Sequence, residues 1–269
     1  MLRSLVGSEM CIRDRNLPVY ALLGGRARAD IPVCCVLTLR DDPARTVEEA
    51  LRFKQRGFTT YTVKVGKNVR QDVHNVAAVR EALGDDASLY VDANGSLNFD
   101  DALRLLHELA PYRIDGAEQP LAHWDLDGAA ALAARSPVAL LLDESIGSTH
   151  DLFGATQRRA ATGVQTKTAK NGGAWHIRQL WTLASAAGWR IRPGNHPSTS
   201  LATLSVAHLA TAWGGPLLEG PFAGGIDGEL AGDVVTQPVR LQGNRLALDD
   251  RPGWGVELDP DALERWRIA

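Results

Sequence analysis

The sequence predicts an α/β fold, a TIM-like barrel of the (β/α)8 or (β/α)7β kind, on three observations. Short β-branched or apolar runs alternate with longer amphipathic stretches along most of the chain, as repeated strand-helix units around a parallel sheet require. A polar or charged residue closes nearly every run, recurring about every 25 residues, close to one unit's share when eight divide roughly 250 residues. The chain itself has 269 residues, enough for one such barrel.

In order, the candidate strands are IPVCCVLT (31–38), TYTVKVG (60–66), SLYVDA (88–93), IDGAEQ (114–119), VALLLDE (138–144), GVQTKTA (163–169), WRIRPG (189–194) and PLLEGP (216–221). Helix patterns lie between them, including PARTVEEALRFKQRG (43–57), VRQDVHNVAAVREALG (69–84) and NFDDALRLLHELA (98–110). The first two close on glycine and the third runs into Pro111, both ordinary helix stops. The tail VRLQGNRLALDD (239–250) reads as a hairpin around Gly243–Asn244. No GxGxxG follows the first strand and no GxxxxGK occurs, so dinucleotide and P-loop readings lack a phosphate cradle.

Composition narrows the function classes. With 29 Lys and Arg against 32 Asp and Glu, the net charge of -3 gives nucleic-acid binding no electrostatic support. Three cysteines make no disulfide framework and no CxxC, which fits a reducing, cytoplasmic location. No apolar run reaches the eighteen or so residues of a membrane helix, so a membrane partner is not expected. The segment MCIRDR (10–15) resembles a translated sequencing adapter, and residues 1–15 are expected to be a non-native leader. Residues 16–30 are then expected to enter the barrel, 31–225 to form it, and 226–269 to be a C-terminal extension.

The strand-end residues are Lys64, Asp92, Glu118, Asp143, Lys167, Asn195 and Glu219. A closed barrel gathers all strand C-termini at one face, so these side chains are expected at one mouth. Asp92, Glu118 and Asp143 come from successive strands and offer hard oxygen ligands without Cys or His, a donor set suited to Mg²⁺ or Mn²⁺. A plainer alternative is a carboxylate cluster neutralised by Lys64 and Lys167 alone. Lys64 and Lys167 flank the acidic three, and an amine beside a metal has its pKa lowered toward neutrality, where it can move a proton. The chemistry this suggests is removal of the proton α to a substrate carboxylate, with the resulting enediolate stabilised electrostatically. Lys170, beyond the sixth strand, reads as a loop charge; His74, His107 and His208 as solvent-facing or core; Trp181, Trp189 and Trp213 as packing residues.

Taken together, PVYALLGG (18–25), VKVG, VDANGS, AEQPL, LLDES and TKTAKNGG (166–173), in that order and spacing, resemble the enolase superfamily and its muconate-lactonizing-enzyme subgroup, over residues 16 to about 258. The resemblance implies that Asp92, Glu118 and Asp143 hold Mg²⁺ (Mn²⁺ possible) and that Lys64 and Lys167 are the acid/base pair. It further implies that Asn94, Glu144 and Glu219 face the substrate or support the ligands. The expected activity is that of an isomerase, a racemase/epimerase or a muconate-type cycloisomerase, acting on a small carboxylate; a lyase (a dehydratase or an o-succinylbenzoate-synthase-like enzyme) and a catalytically silent truncated barrel are the alternatives. Homo-oligomerisation is possible in such barrels.

Two departures stand out. The subgroup reads KxK on its second strand where this chain has Thr62 before Lys64, and its N-terminal α+β capping domain is expected to be largely missing here. His196, next to Asn195, occupies a place where the mandelate-racemase branch uses a histidine base, but with Lys167 on the sixth strand it reads as a substrate-contacting neighbour.

Overall fold

The computed structural model describes residues 15–221 and 230–267; residues 1–14, most of the expected leader, and 222–229 at the barrel's expected end lie outside the described residues. Seven parallel strands pair in sequence order: β2 (Cys35–Leu37), β3 (Thr60–Lys64), β4 (Ser88–Asp92), β5 (Gly116–Glu118), β6 (Leu140–Leu142), β7 (Gly163–Lys167) and β8 (Arg190–Gly194). A helix follows each: α2 (Pro43–Gln55), α3 (Val69–Leu83), α4 (Phe99–Leu109), α5 (Leu126–Ala133), α6 (Thr149–Arg158), α7 (Ala174–Ala186) and α8 (Ser200–Ala212). Helix α1 (Val19–Leu22) precedes the barrel, and α9 (Pro260–Arg265) lies in the tail. Each strand's return is a helix, so neighbours run parallel and every strand C-terminus reaches the same rim.

Local chemistry sets the helix limits. Asn68 and Asn98 cap α3 and α4 by accepting from the backbone N–H of Gln71 and Asp101, and Ser148 with Asp151 forms a capping box on α6. Helix α4 buries Ala102, Leu105, Leu106 and Leu109, one stripe at helical spacing, against the sheet. The strands are buried on both faces, as in β7, all five residues of which are buried.

Two expected strands differ. The run at 31–38 divides in two: β1 (Asp30–Pro32) pairs antiparallel with β9 (Arg245–Ala247) of the tail hairpin, and only β2 enters the barrel. Pro32 lacks an N–H for a continuous ladder, which favours a change of partner at that point. The run at 216–221 is not a regular strand. Its prolines at both ends cannot donate, and it makes a single parallel bridge, Val33 to Gly220. It still seals the barrel, because Leu218 N–H donates to Ile191 O at 2.8 Å on one side while Gly220 O accepts from Cys34 N–H at 3.2 Å on the other. The result is a (β/α)7 sheet completed by an irregular eighth segment.

The tail does form a hairpin at Gly243–Asn244: Gln242 and Arg245 exchange backbone hydrogen bonds of 2.9 and 3.0 Å, and Gly243 takes a φ of 63°. His74 and His107 are exposed, His208 is core, and Trp181 packs edge-on against Trp213 at 5.6 Å. Among the described residues, no helix is long and apolar enough to cross a membrane.

Candidate active site

Register lines up the predicted side chains. Lys64 is the Cα partner of Asp92, and Asp92 that of Glu118, so three strand ends share one level of the rim. Strands β3 and β7 are four positions apart in the sheet order, and with 216–221 as the eighth position Lys64 and Lys167 rise from opposite sides of the mouth. A cavity of about 630 Å³ opens between them. Its wall includes Thr62, Lys64, Asp92, Asn94, Glu144, Lys167, Asn195 and His196 on the polar side, with Phe53, Phe58 and Leu241 on the apolar side. Glu118 and Asp143 lie beneath it, 1% and 0% exposed.

Each carboxylate has a cation. Lys64 Nζ donates to Asp92 Oδ2 at 2.5 Å and to Asn94 Oδ1 at 2.6 Å. Asn94, at a left-handed φ of 46°, passes the link on by donating to Glu144 Oε1 at 2.9 Å. Lys167 Nζ pairs with Asp143 Oδ2, and Lys170 Nζ lies 2.7 Å from Asp143 Oδ1. Glu118 accepts from Arg192 Nη1 at 2.9 Å and from Gln165 Nε2 at 2.5 Å.

The titration directions follow from these contacts. Burial pushes the Glu118 carboxyl well up, and the neighbouring charges of Asp92 and Asp143 add to the shift. Burial would also raise Asp143, but Lys170 and Lys167 outweigh it and hold that carboxyl below its ordinary value. Burial would lower the Lys167 amine, yet Asp143 beside it raises it above the usual range.

Lys170 corrects an expectation. It is no solvated loop charge: it folds back, mostly buried, and also donates to the backbone carbonyls of Asp143 and Gln165, tying the end of β6 to the middle of β7. Glu219 is not part of the cavity wall; its carbonyl accepts from Arg192 Nε at 3.1 Å within the barrel. His196 and Asn195 do reach the cavity, and burial followed by the charge of Lys167 lowers the His196 imidazole.

Other residues of the site have no strand-end signal. Gln119, at a left-handed φ of 37°, accepts from the N–H of Asp143 and Ser145 and so shapes the loop that carries Asp143. Gln165 and Arg192 sit inside strands; a polar residue within a run expected to be buried on both faces was their only mark in the sequence. Buried polar atoms of three wall residues, Glu144 Oε2, Gln165 Oε1 and Asn195 Nδ2, lack hydrogen-bond partners.

Among the described residues, no three acidic, histidine or cysteine side chains are gathered closely enough to coordinate a metal ion, because the carboxylates are turned to their cations. The donor set nevertheless suits a hard divalent cation: three carboxylates on adjacent strand ends, with Glu118 feeling the charge of both others.

Comparison with known proteins agrees with this architecture. Residues 45–262 match the family described as enolase C-terminal domain-like. The chain is 33% identical to an N-succinyl-L-Arg/Lys racemase of Bacillus cereus, covering 94% of this chain and 67% of that protein. It is 34% identical to muconate cycloisomerase 1 of Pseudomonas putida, covering 93% and 67%. The crystal structure of muconate cycloisomerase from Pseudomonas fluorescens superposes with a TM-score of 0.90 at 31% identity, over 96% of this chain and 71% of that one. The relatives are named isomerases, and the chain belongs to the enolase superfamily, in its muconate-lactonizing-enzyme subgroup.

Proposed function

We propose that this barrel is the catalytic part of an isomerase that moves the proton α to a substrate carboxylate, in the racemase/epimerase manner. The observation that carries the reading is the pair of amines, Lys64 and Lys167, on opposite sides of one cavity. A carbon held between them can lose its proton to one amine and regain one from the other on the opposite face, which inverts the centre. The unpartnered Glu144, Gln165 and Asn195 atoms suit a polar substrate, and Phe53, Phe58 and Leu241 suit an apolar portion of it.

Asp92, Glu118 and Asp143 would hold Mg²⁺ or Mn²⁺, which supplies positive charge for the substrate carboxylate as negative charge builds on it. Asn94 orients Lys64 through its 2.6 Å hydrogen bond, and Asn171, whose Oδ1 accepts from Lys167 N–H at 2.9 Å, fixes the strand end that carries the second amine. The name of the Bacillus cereus racemase suggests N-acylated amino acids as test substrates.

The test is ²H uptake from D₂O at the α-carbon of such compounds with Mg²⁺, followed by ¹H NMR. Wild type should exchange, and Lys64→Ala and Lys167→Ala should each slow exchange of one or both enantiomers by about a hundredfold or more. Absence of exchange throughout the panel, or exchange that survives both substitutions, overturns the proposal.

A further inference from the structure

The barrel interior contains a cation that the proton transfer does not use. Arg192, from β8, is 0% exposed and lies below the cavity. Its Nη1 donates to Glu118 Oε2 at 2.9 Å, Nη2 to Thr62 Oγ1 at 2.7 Å and Cys34 Sγ at 3.1 Å, and Nε to Glu219 O at 3.1 Å. The guanidinium also lies over the Tyr90 ring, 4.2 Å from its centroid. Bonds in three directions and a ring face leave it no other position. Because a guanidinium keeps its proton, the charge is permanent.

Glu118 is equally committed. Arg192 takes one carboxylate oxygen, and Gln165 Nε2 takes the other at 2.5 Å. Asp92 differs, because its partner Lys64 stands on a flexible stem at the cavity wall and can turn away, and of the two partners of Asp143 Lys167 stands at that wall while Lys170 is mostly buried. Arg192 has no comparable exit.

We propose that Arg192 is a resident counter-cation of Glu118, which holds that side chain in place without a metal and lowers the affinity of the carboxylate cluster for a divalent cation. Both effects have one cause. A fixed positive charge in a dry interior stabilises the buried carboxylate and repels a second cation brought to the same group. The barrel can then fold without metal, and its metal site is weaker than three free carboxylates would make it. The inference rests on the reading of Asp92, Glu118 and Asp143 as metal ligands.

The experiment measures Mn²⁺ binding by calorimetry at pH 8.5, where protons compete least, and thermal stability with and without Mn²⁺. The proteins are wild type, Arg192→Gln, Asp143→Asn and the double variant Glu118→Gln/Arg192→Gln; Gln at 192 keeps a donor and removes the charge. Arg192→Gln should bind Mn²⁺ at least about tenfold more tightly than wild type, and Mn²⁺ should raise its melting temperature by more than it raises wild type's. The double variant should lose that extra response.

Binding by wild type that Asp143→Asn abolishes, together with unchanged or weaker binding by Arg192→Gln, overturns the role of Arg192 alone. No Mn²⁺ binding by wild type or Arg192→Gln overturns the metal reading, and the inference with it. If Arg192→Gln folds only in Mn²⁺, or only once Glu118→Gln is added, the charge pairing is supported directly; failure of the double variant to fold overturns it.

Discussion

Arg192 Nη2 lies 2.7 Å from Thr62 Oγ1, so a guanidinium from β8 stands beside the β3 position where the subgroup pattern has a lysine. The cation is not simply lost at residue 62: a permanent charge reaches the same neighbourhood from another strand. Restoring the lysine should therefore harm the protein. Thr62→Lys would press an ammonium against Arg192 inside the barrel, where Thr62 is 1% exposed, and should cost about 3 kcal/mol or more in urea unfolding. Adding Arg192→Leu should recover much of that loss. A Thr62→Lys variant as stable as wild type would show that the two positions do not compete.

The seam at the eighth position depends on a glycine. A Cβ on Gly220 would come within 1.6 Å of Pro193 O, a backbone atom of β8 that cannot swing aside. Gly220→Ala should lower stability by about 3 kcal/mol, seen as a shift in the urea midpoint, because the segment must leave its bonds to Cys34 and Ile191. Gly57→Ala is the control for general glycine effects, since it opens on free space with only its φ of 89° against it. A loss at Gly220 no larger than at Gly57 would remove the steric argument.

Lys170 should matter to the site without touching substrate. It does not line the cavity, yet it pairs with Asp143 and holds the backbone carbonyls of Asp143 and Gln165. Lys170→Met should cost about 2 kcal/mol of stability, less than loss of a sole partner because Lys167 remains paired with Asp143. It should also lower kcat more than it raises KM. Activity and melting temperature equal to wild type would return Lys170 to the status of a loop charge.

His208 gives the fold an acid limit. Its Nδ1 accepts from Tyr20 N–H at 3.1 Å and its Nε2 lies 3.3 Å from Trp254 O, so the neutral ring with the proton on Nε2 satisfies both contacts. Burial lowers its pKa from 6.5 to about 4, the nearby Arg26 adding to the effect and Asp249 and the Trp254 carbonyl opposing it. Below pH 6.5 the unfolded chain binds this proton and the folded chain does not. Stability is therefore fully present above 6.5 and falls as the pH drops toward about 4, by up to about 3 kcal/mol. A His208→Asn variant should show a flatter urea midpoint over that range, and equal slopes would refute the assignment.

Much of the fold was legible because its signals are local. The Asn68 and Asn98 caps, the apolar stripe of α4 and the polar residues closing the buried runs all act within a few residues, and they mark the units in order. Strand limits were less legible where a run changes partner: only the distant hairpin explains why 31–38 divides, and only the approach to Pro193 explains Gly220.

The sequence by itself determined the βα order and which charged side chains meet at one rim, because parallel strands joined by helices must end on the same face. Tertiary structure alone decided which charges neutralise which. Glu118 finds Arg192 across 74 residues of chain, Thr62 meets the same guanidinium across 130, and Lys170 turns inward to Asp143. Ion pairing depends on distance and burial in space, and closing the barrel is the step that sets both.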